Sequence, residues 1–344
     1  MPVAFIVPPA LQPPGGGGAR YLHEMIAALR GIGERVEVFE LADDLVAGGR
    51  PTIDPFWSTL PKDAVLVIDG LVLPRFARLA DGSVMARCVA LVHHPSPMIF
   101  QLPEVEQTAR RKIEQGLLKA LPRIVVTGDD TAARLASEYG VDPAHIRVVP
   151  PGTAEAPRST GSGGSDCAIL SIGALTPRKG HAMLIRALAR LFDLDWHLTI
   201  AGDPRDGVHA RELAALATEL EVTGRIDFRG AVDDAALEHL WRQADLFALA
   251  TRYEATSAVV AEALKRGLPV AVTRGGAAAV PMTPDSGIVC DPDDMVTFSK
   301  AIRRLIFDLP LRRSCAEAAW QIGQTLPDWP TQARAMAAAL AGLN

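Results

Sequence analysis

The sequence is short of cysteine and has no long apolar run, and each shortage removes a class of protein. Cys88, Cys167, Cys290 and Cys315 stand far apart with no CxxC spacing. That suits buried free thiols in a reducing compartment and offers no metal site. Nowhere does the chain approach the ~18 uninterrupted apolar residues of a membrane span, and residues 1–9 lack the basic start of a secretory leader. A cytoplasmic protein is therefore expected. Charge of one sign is also missing: 35 Lys and Arg against 40 Asp and Glu leave a net charge of −5, with no long basic stripe. No nucleic-acid role is expected, and an anionic small ligand would need a local basic site. There is no short internal repeat.

What is present is ample apolar material, 49% of 344 residues with 22% charged, enough for two domains with separate cores. Apolar runs at 3–7, 36–39, 64–68, 88–92, 124–127 and 146–149 read as strands. Between them, 19–30, 104–121 and 130–139 carry helical periodicity. Strands alternating with helices indicate a parallel sheet covered on both faces. Over 154–166 the composition turns small and polar, which reads as a linker between a first domain at 1–153 and a second at 167–326. The alternation then restarts, with strands near 168–173, 197–201, 226–229, 246–250, 268–272 and 288–290. The helices near 182–192, 210–221, 234–243, 256–265 and 294–307 lie between them, and a last helix closes the chain within 327–344. The class is α/β, with two doubly wound sheets.

The stretch 248–273 reads as strand, acidic loop, helix, strand. Glu254 falls just outside the helix start, which Thr256 or Ser257 can cap, and Glu262 falls about two turns inside. Free amides near Thr256, Ser257 and Ala258 favour an anion, so a diphosphate could occupy the helix end and a carboxylate beside it could accept from ribose hydroxyls. The run Ile172-Gly173-Ala174-Leu175-Thr176-Pro177-Arg178-Lys179-Gly180-His181 puts two cations at a helix start, where cations are disfavoured, and this raises a functional reading of Arg178 and Lys179. In the first domain a glycine run that includes Gly16 and Gly17 follows the first strand, and amides without a Cβ nearby can approach a ligand closely. His93 and His94 end a strand, where cleft residues occur.

These motifs together resemble the retaining glycosyltransferases of family 4: VVPPGT, LSIGALTPRKGHAMLIRALARL, LTIAGD, RIDFRGAV and ADLFALATRYEATSAVVAEALKRGLPVAVTRGG. The resemblance covers nearly the whole chain and implies a GT-B architecture, two facing Rossmann-like domains with a cleft between them and the terminal helix returning to the first. It implies a cytoplasmic transferase moving a sugar from a nucleotide diphosphate donor, uridine-linked, to a small-molecule or glycan acceptor with retention. By resemblance Lys179 holds the diphosphate, Glu262 the ribose, and Glu254 with the following amides the sugar and phosphate end. His93, favoured over His94, stands against the transferring sugar and contributes only positioning or charge stabilisation. The chain departs from the family at Ala174, where an arginine is usual and Arg178 can supply the charge. It departs again at Ala255-Thr256-Ser257, where a glycine-aromatic-glycine run is usual. The alternatives are a nucleotide-sugar epimerase or hydrolase on the same fold, or a non-catalytic nucleotide-sugar-binding protein. The short chain with HHP and PRKG also looks like a subgroup that includes selenosugar synthases, which admits a small thiol or selenium acceptor.

Asp193-Leu194-Asp195 and Asp291-Pro292-Asp293 match the DxD pattern of metal-dependent transferases, but a turn and a helix cap account for them, so no metal and no cofactor is expected. The 104–121 helix carries Arg110, Arg111, Lys112 and Lys119 beside apolar residues. Glu104, Glu106 and Glu114 dilute that charge and argue against the peripheral membrane contact it would otherwise allow.

Overall fold

The computed structural model describes residues 2–9, 17–41, 54–76, 85–95, 104–205 and 207–343. They form two compact units, unit 1 from Met1–Gly152 with Trp329–Asn344, and unit 2 from Thr153–Asp328. In unit 1 the strands are β1 (Val3–Val7), β2 (Val36–Glu40), β3 (Val65–Asp69), β4 (Cys88–Val92), β5 (Arg123–Val126) and β6 (Ile146–Val148). Its helices are α1 (Gly17–Gly31), α2 (Asp54–Thr59), α3 (Glu104–Ala120) and α4 (Asp129–Tyr139). The six strands make one parallel sheet in the order β2-β1-β3-β4-β5-β6. β1, β3 and β4 are buried throughout, because both faces are covered and neither side of the pleat needs polar residues.

Unit 2 holds β7 (Cys167–Ile172), α5 (His181–Ala189), β8 (Trp196–Ala201), α6 (Val208–Glu219), β9 (Ile226–Gly230), α7 (Asp234–Gln243) and β10 (Leu246–Leu249). It continues with α8 (Ala258–Lys265), β11 (Val270–Thr273), β12 (Gly287–Cys290), α9 (Met295–Phe307) and α10 (Leu309–Thr325). Its parallel sheet runs β12-β11-β10-β7-β8-β9, so successive strands build outward from β7 on one side and from β10 on the other. The gap between the carboxyl ends of β7 and β10 is the topological switch point, where doubly wound sheets bind ligands. In unit 1 the same point lies between β1 and β3.

Two stretches differ from their sequence reading. The small polar segment 154–166 is hydrogen-bonded onto unit 2: Ser159 N donates to Arg266 O at 2.9 Å, Thr160 N to Arg242 O at 3.0 Å, and Ser162 Oγ to Asp245 Oδ2 at 2.7 Å. Its serines and threonines serve as hydrogen-bonding groups against helix ends rather than as flexible spacers. Helix α10 has no counterpart in the sequence reading. Asp308 ends α9 and caps α10 by accepting from Leu311 N at 3.0 Å, so Pro310 sits in the first turn, where proline is tolerated.

The last helix, α11 (Trp329–Leu340), packs on α1 in unit 1. Ala333, Met336, Ala339 and Leu340 join the core with Val3, Phe5, Tyr21 and Met25. Arg123, at the start of β5, donates to the carbonyls of Ala339 and Ala341 and closes the helix end. Met336 is fully buried. Met336→Ala is expected to cost about 2–5 kcal/mol in denaturant unfolding, with faster hydrogen exchange in β1 and α1. A loss under ~1 kcal/mol would mean that α11 is not part of that core.

Candidate functional site

Both loops at the unit 2 switch point carry charge. β7 leads to a 3-10 turn, Pro177–Lys179, ended by Gly180 at φ 68°. A Cβ on Gly180 would lie 1.9 Å from the carbonyl oxygen of Ala250, so glycine is what lets this turn press against the end of β10. The backbones then join: Arg252 N donates to Arg178 O at 2.8 Å. Arg178 and Lys179 are thereby carried to the loop that holds Glu254.

Glu254 is buried, with 8% exposure. Its Oε1 accepts from Lys179 Nζ at 2.8 Å, from Thr251 Oγ1 at 2.9 Å and, at 3.4 Å, from a guanidinium nitrogen of Arg178 that also donates to Tyr253 O. Its backbone is held as firmly: Glu254 N donates to Gly275 O at 3.0 Å, and Ala277 N to Glu254 O at 2.8 Å. Gly276, at φ 60°, comes so close that a Cβ would lie 2.3 Å from Glu254 O. Burial alone pushes the carboxyl pKa up. The charges of Lys179 and Arg178, with hydrogen bonds from Lys179 and Thr251, outweigh it and hold the group below the ordinary glutamate value.

Helix α8 begins at Ala258, with Ser257, one of the two caps the sequence offers, at its N-cap. Glu262 is therefore the fifth helical residue, a little over one turn in rather than two. Ser257 occupies the N-cap without a side-chain bond, and the first intrahelical bond runs from Ala261 N to Ser257 O at 2.8 Å. The unsatisfied amides thus extend through Ala258 to Val260, and Thr256 lies outside the helix. Glu262 is half-buried. Three of the four aspartates in the two DxD matches pair with arginines: Asp193 with Arg303, Asp291 with Arg274 at 2.8 Å and Asp293 with Arg252 at 2.8 Å.

Unit 1 shows a second convergence at its own switch point. Gly16 lies outside the described residues, while Gly17 opens α1 in an exposed position. His93, just past β4, is largely buried, its side chain 12% exposed. Gly18 leaves room for the ring, since a Cβ there would lie 3.0 Å from His93 Cδ2. Tyr21 packs edge-on at 5.2 Å, and Thr131 Oγ1 donates to His93 O at 2.9 Å. Burial, and then the neighbouring His94, push the His93 pKa down to about 3, so the ring is neutral near pH 7. Asp69, at the end of β3, faces it.

The structure thus brings Lys179, Arg178 and Glu254 into one ion cluster and adds Thr251, Gly275 and Gly276, which the sequence reading did not single out. A glycine pair one residue past a strand, in VTRGG, was the available signal. Asp69 had one too, as the single charge closing an apolar strand.

Residues 153–321, all within unit 2, match the family model described as Glycosyl transferases group 1. A D-inositol 3-phosphate glycosyltransferase of Acidothermus cellulolyticus is 29% identical over 59% of this chain and 50% of its own length. The lipopolysaccharide core biosynthesis glycosyltransferase LpsE of Rhizobium meliloti is 33% identical over 43% of this chain and 42% of its own length. The chain spans about half the length of the curated relatives it matches. Among solved structures, HepE of Anabaena, in complex with UDP and glucose, superposes with a TM-score of 0.82 at 19% identity over 100% of both chains. Sucrose-phosphate synthase of Thermosynechococcus elongatus gives 0.81 at 20% identity over 98% of this chain and 97% of its own. The fold is the two-domain α/β fold of the GT-B type.

A carboxyl whose folded pKa is depressed contributes stability above its unfolded pKa and loses it as pH falls through the folded value. For Glu254 the loss begins near the ordinary value of 4.5 and continues below it. Glu254→Gln should therefore be less stable than the parent at pH 7, and the difference should shrink as pH falls below about 4.5. Unfolding curves at stepped pH measure it, and a difference independent of pH would show that the ion cluster does not stabilise the fold.

Proposed function

We propose that the protein is a glycosyltransferase that takes a sugar from a nucleotide diphosphate donor, uridine-linked, and passes it to an acceptor with retention of configuration and without a divalent metal. The observation that carries this reading is Lys179, fixed 2.8 Å from buried Glu254 at the switch point of unit 2, in the loop that leads to the N-terminus of α8. A cation beside unsatisfied helix amides suits a diphosphate, whose oxygens those groups can neutralise. The match to Glycosyl transferases group 1 supports the reaction class, and HepE, of the same fold, was solved with UDP and glucose.

In this reading Lys179 moves from Glu254 to share itself with the diphosphate, and the amides of Ala258 to Val260 take further phosphate oxygens. Glu262, one turn into α8, accepts from the ribose hydroxyls, and Glu254 stands at the sugar end, with Thr256 and Ser257 lining the approach. Breaking the sugar–phosphate bond concentrates negative charge on the leaving oxygen. Groups aimed at that oxygen therefore accelerate the step more than they tighten substrate binding. Arg178 places a second positive charge on the same loop, in a chain with Ala174 where related enzymes carry arginine. With these charges present, neutralising the leaving group requires no metal. Unit 1 supplies the acceptor side, His93 included. The acceptor enters from the face the diphosphate leaves, which gives retention.

Lys179→Ala is expected to lower the single-turnover rate with a UDP-sugar by roughly 10²–10³, the cost of one oxyanion donor. Proton NMR of the product should show the donor's anomeric configuration, and an inverted product would overturn the mechanism. Glu262→Ala should weaken UDP binding by about 1.5–3 kcal/mol in calorimetry, the worth of a charge-assisted hydrogen bond. Unchanged affinity would remove Glu262 from the ribose.

A further inference from the structure

The unit 1 switch point contains a buried carboxylate to which nothing above gives a task. Asp69 is 2% exposed, at the end of β3. Its Oδ1 accepts from Leu71 N at 2.8 Å, which fixes the carboxylate and leaves Oδ2 aimed at His93 Nε2, 3.7 Å away. Nε2 is itself buried and has no hydrogen-bond partner. A buried carboxylate is costly unless a donor faces it, and a buried ring nitrogen is costly unless it is paired. A small closure of the 3.7 Å gap meets both needs at once.

We propose that Asp69 is a positioning residue that holds the His93 proton on Nε2 and so leaves Nδ1 with its lone pair, ready to accept a hydrogen bond from a sugar or acceptor hydroxyl. The tautomer of a neutral imidazole is set by the partner of its other nitrogen. The surroundings suit a fixed ring: Gly18 gives it space, Tyr21 packs against it edge-on, Thr131 holds its carbonyl, and Tyr21 is held in turn by Val149 O at 2.9 Å and Trp329 at 5.7 Å. The titratable groups around the ring are Asp69, His94 and Tyr21. Burial raises the Tyr21 pKa far above its ordinary value, so it stays neutral, and burial raises that of Asp69 to about 6. The pair therefore carries the carboxylate above about pH 6 and is neutral below it.

The part played in transfer rests on the function proposed above, but the tautomer does not, and it is read without turnover. Asp69→Asn discriminates because Leu71 N keeps the amide oxygen where Oδ1 was. The amide nitrogen then takes the place of Oδ2, offers a proton to Nε2 and drives the ring proton to Nδ1. Two-bond proton–nitrogen NMR of the full chain, labelled with ¹⁵N-histidine and assigned by His93→Gln, is expected to show Nε2–H in the parent at pH 7.5 and Nδ1–H in Asp69→Asn. With UDP-glucose as probe, UDP release should fall roughly 10–100-fold in kcat, with UDP affinity unchanged. The acid limb of the parent's rate profile, near pH 6, should disappear in the variant. An Nδ1–H resonance in the parent, or a variant that keeps the parent's tautomer and rate profile, would overturn the proposal. If the parent shows no turnover with any nucleotide sugar, the proposed function fails, and the parent's own ring resonances still decide the role of Asp69.

Discussion

A buried carboxylate that cannot be left alone organises unit 2. Glu254 costs several kcal/mol to bury as an isolated ion, and the chain offsets this by bringing Lys179, Arg178 and the Thr251 hydroxyl to one of its oxygens. Those partners come from loops after different strands, so the pairing exists only if β7 and β10 are neighbours and the turn before α5 can touch the end of β10. Gly180 permits that contact, and Gly276 permits the next loop to close over the backbone of Glu254. The ion cluster, the two glycines and the strand order are thus one requirement met in three ways.

Both sheets follow the same rule with different chemistry. In each, polar residues gather where the strand order reverses, because there the loops diverge and leave open space at the carboxyl ends of the strands. Unit 2 fills this position with opposite charges, which suits a highly charged ligand. Unit 1 fills it with a neutral imidazole, a carboxylate and an aromatic ring, which suits hydroxyl groups.

Most of this order was legible in the sequence, since buried parallel strands such as Val3–Val7 and Val65–Asp69 are unbroken apolar runs between helical segments. Helix α10 escaped because its buried positions are Cys315, Ala319 and Gly323, too small to give a strong apolar period. Smallness is what its place demands, for a Cβ on Gly323 would lie 2.4 Å from Leu264 O on α8. Thr256 and Ser257 both make plausible caps for α8, and only backbone geometry separates them. Lys179, Arg178 and Glu254 were singled out, yet their direct pairing was not foreseeable: it depends on Gly180 meeting Ala250, seventy residues away. Asp69 was missed because a single acid at a strand end is ordinary until the residue facing it is known.

The Lys179–Glu254 pair and the α8 N-terminus are proposed to form a diphosphate site. A crystal structure of the full chain with UDP tests it most directly. The account predicts phosphate oxygens within ~3 Å of Lys179 Nζ and of the amides of Ala258 to Val260, a charge-assisted hydrogen-bond distance, with the ribose on Glu262. UDP bound elsewhere, or the Lys179–Glu254 pair intact with no phosphate beside it, would contradict the account.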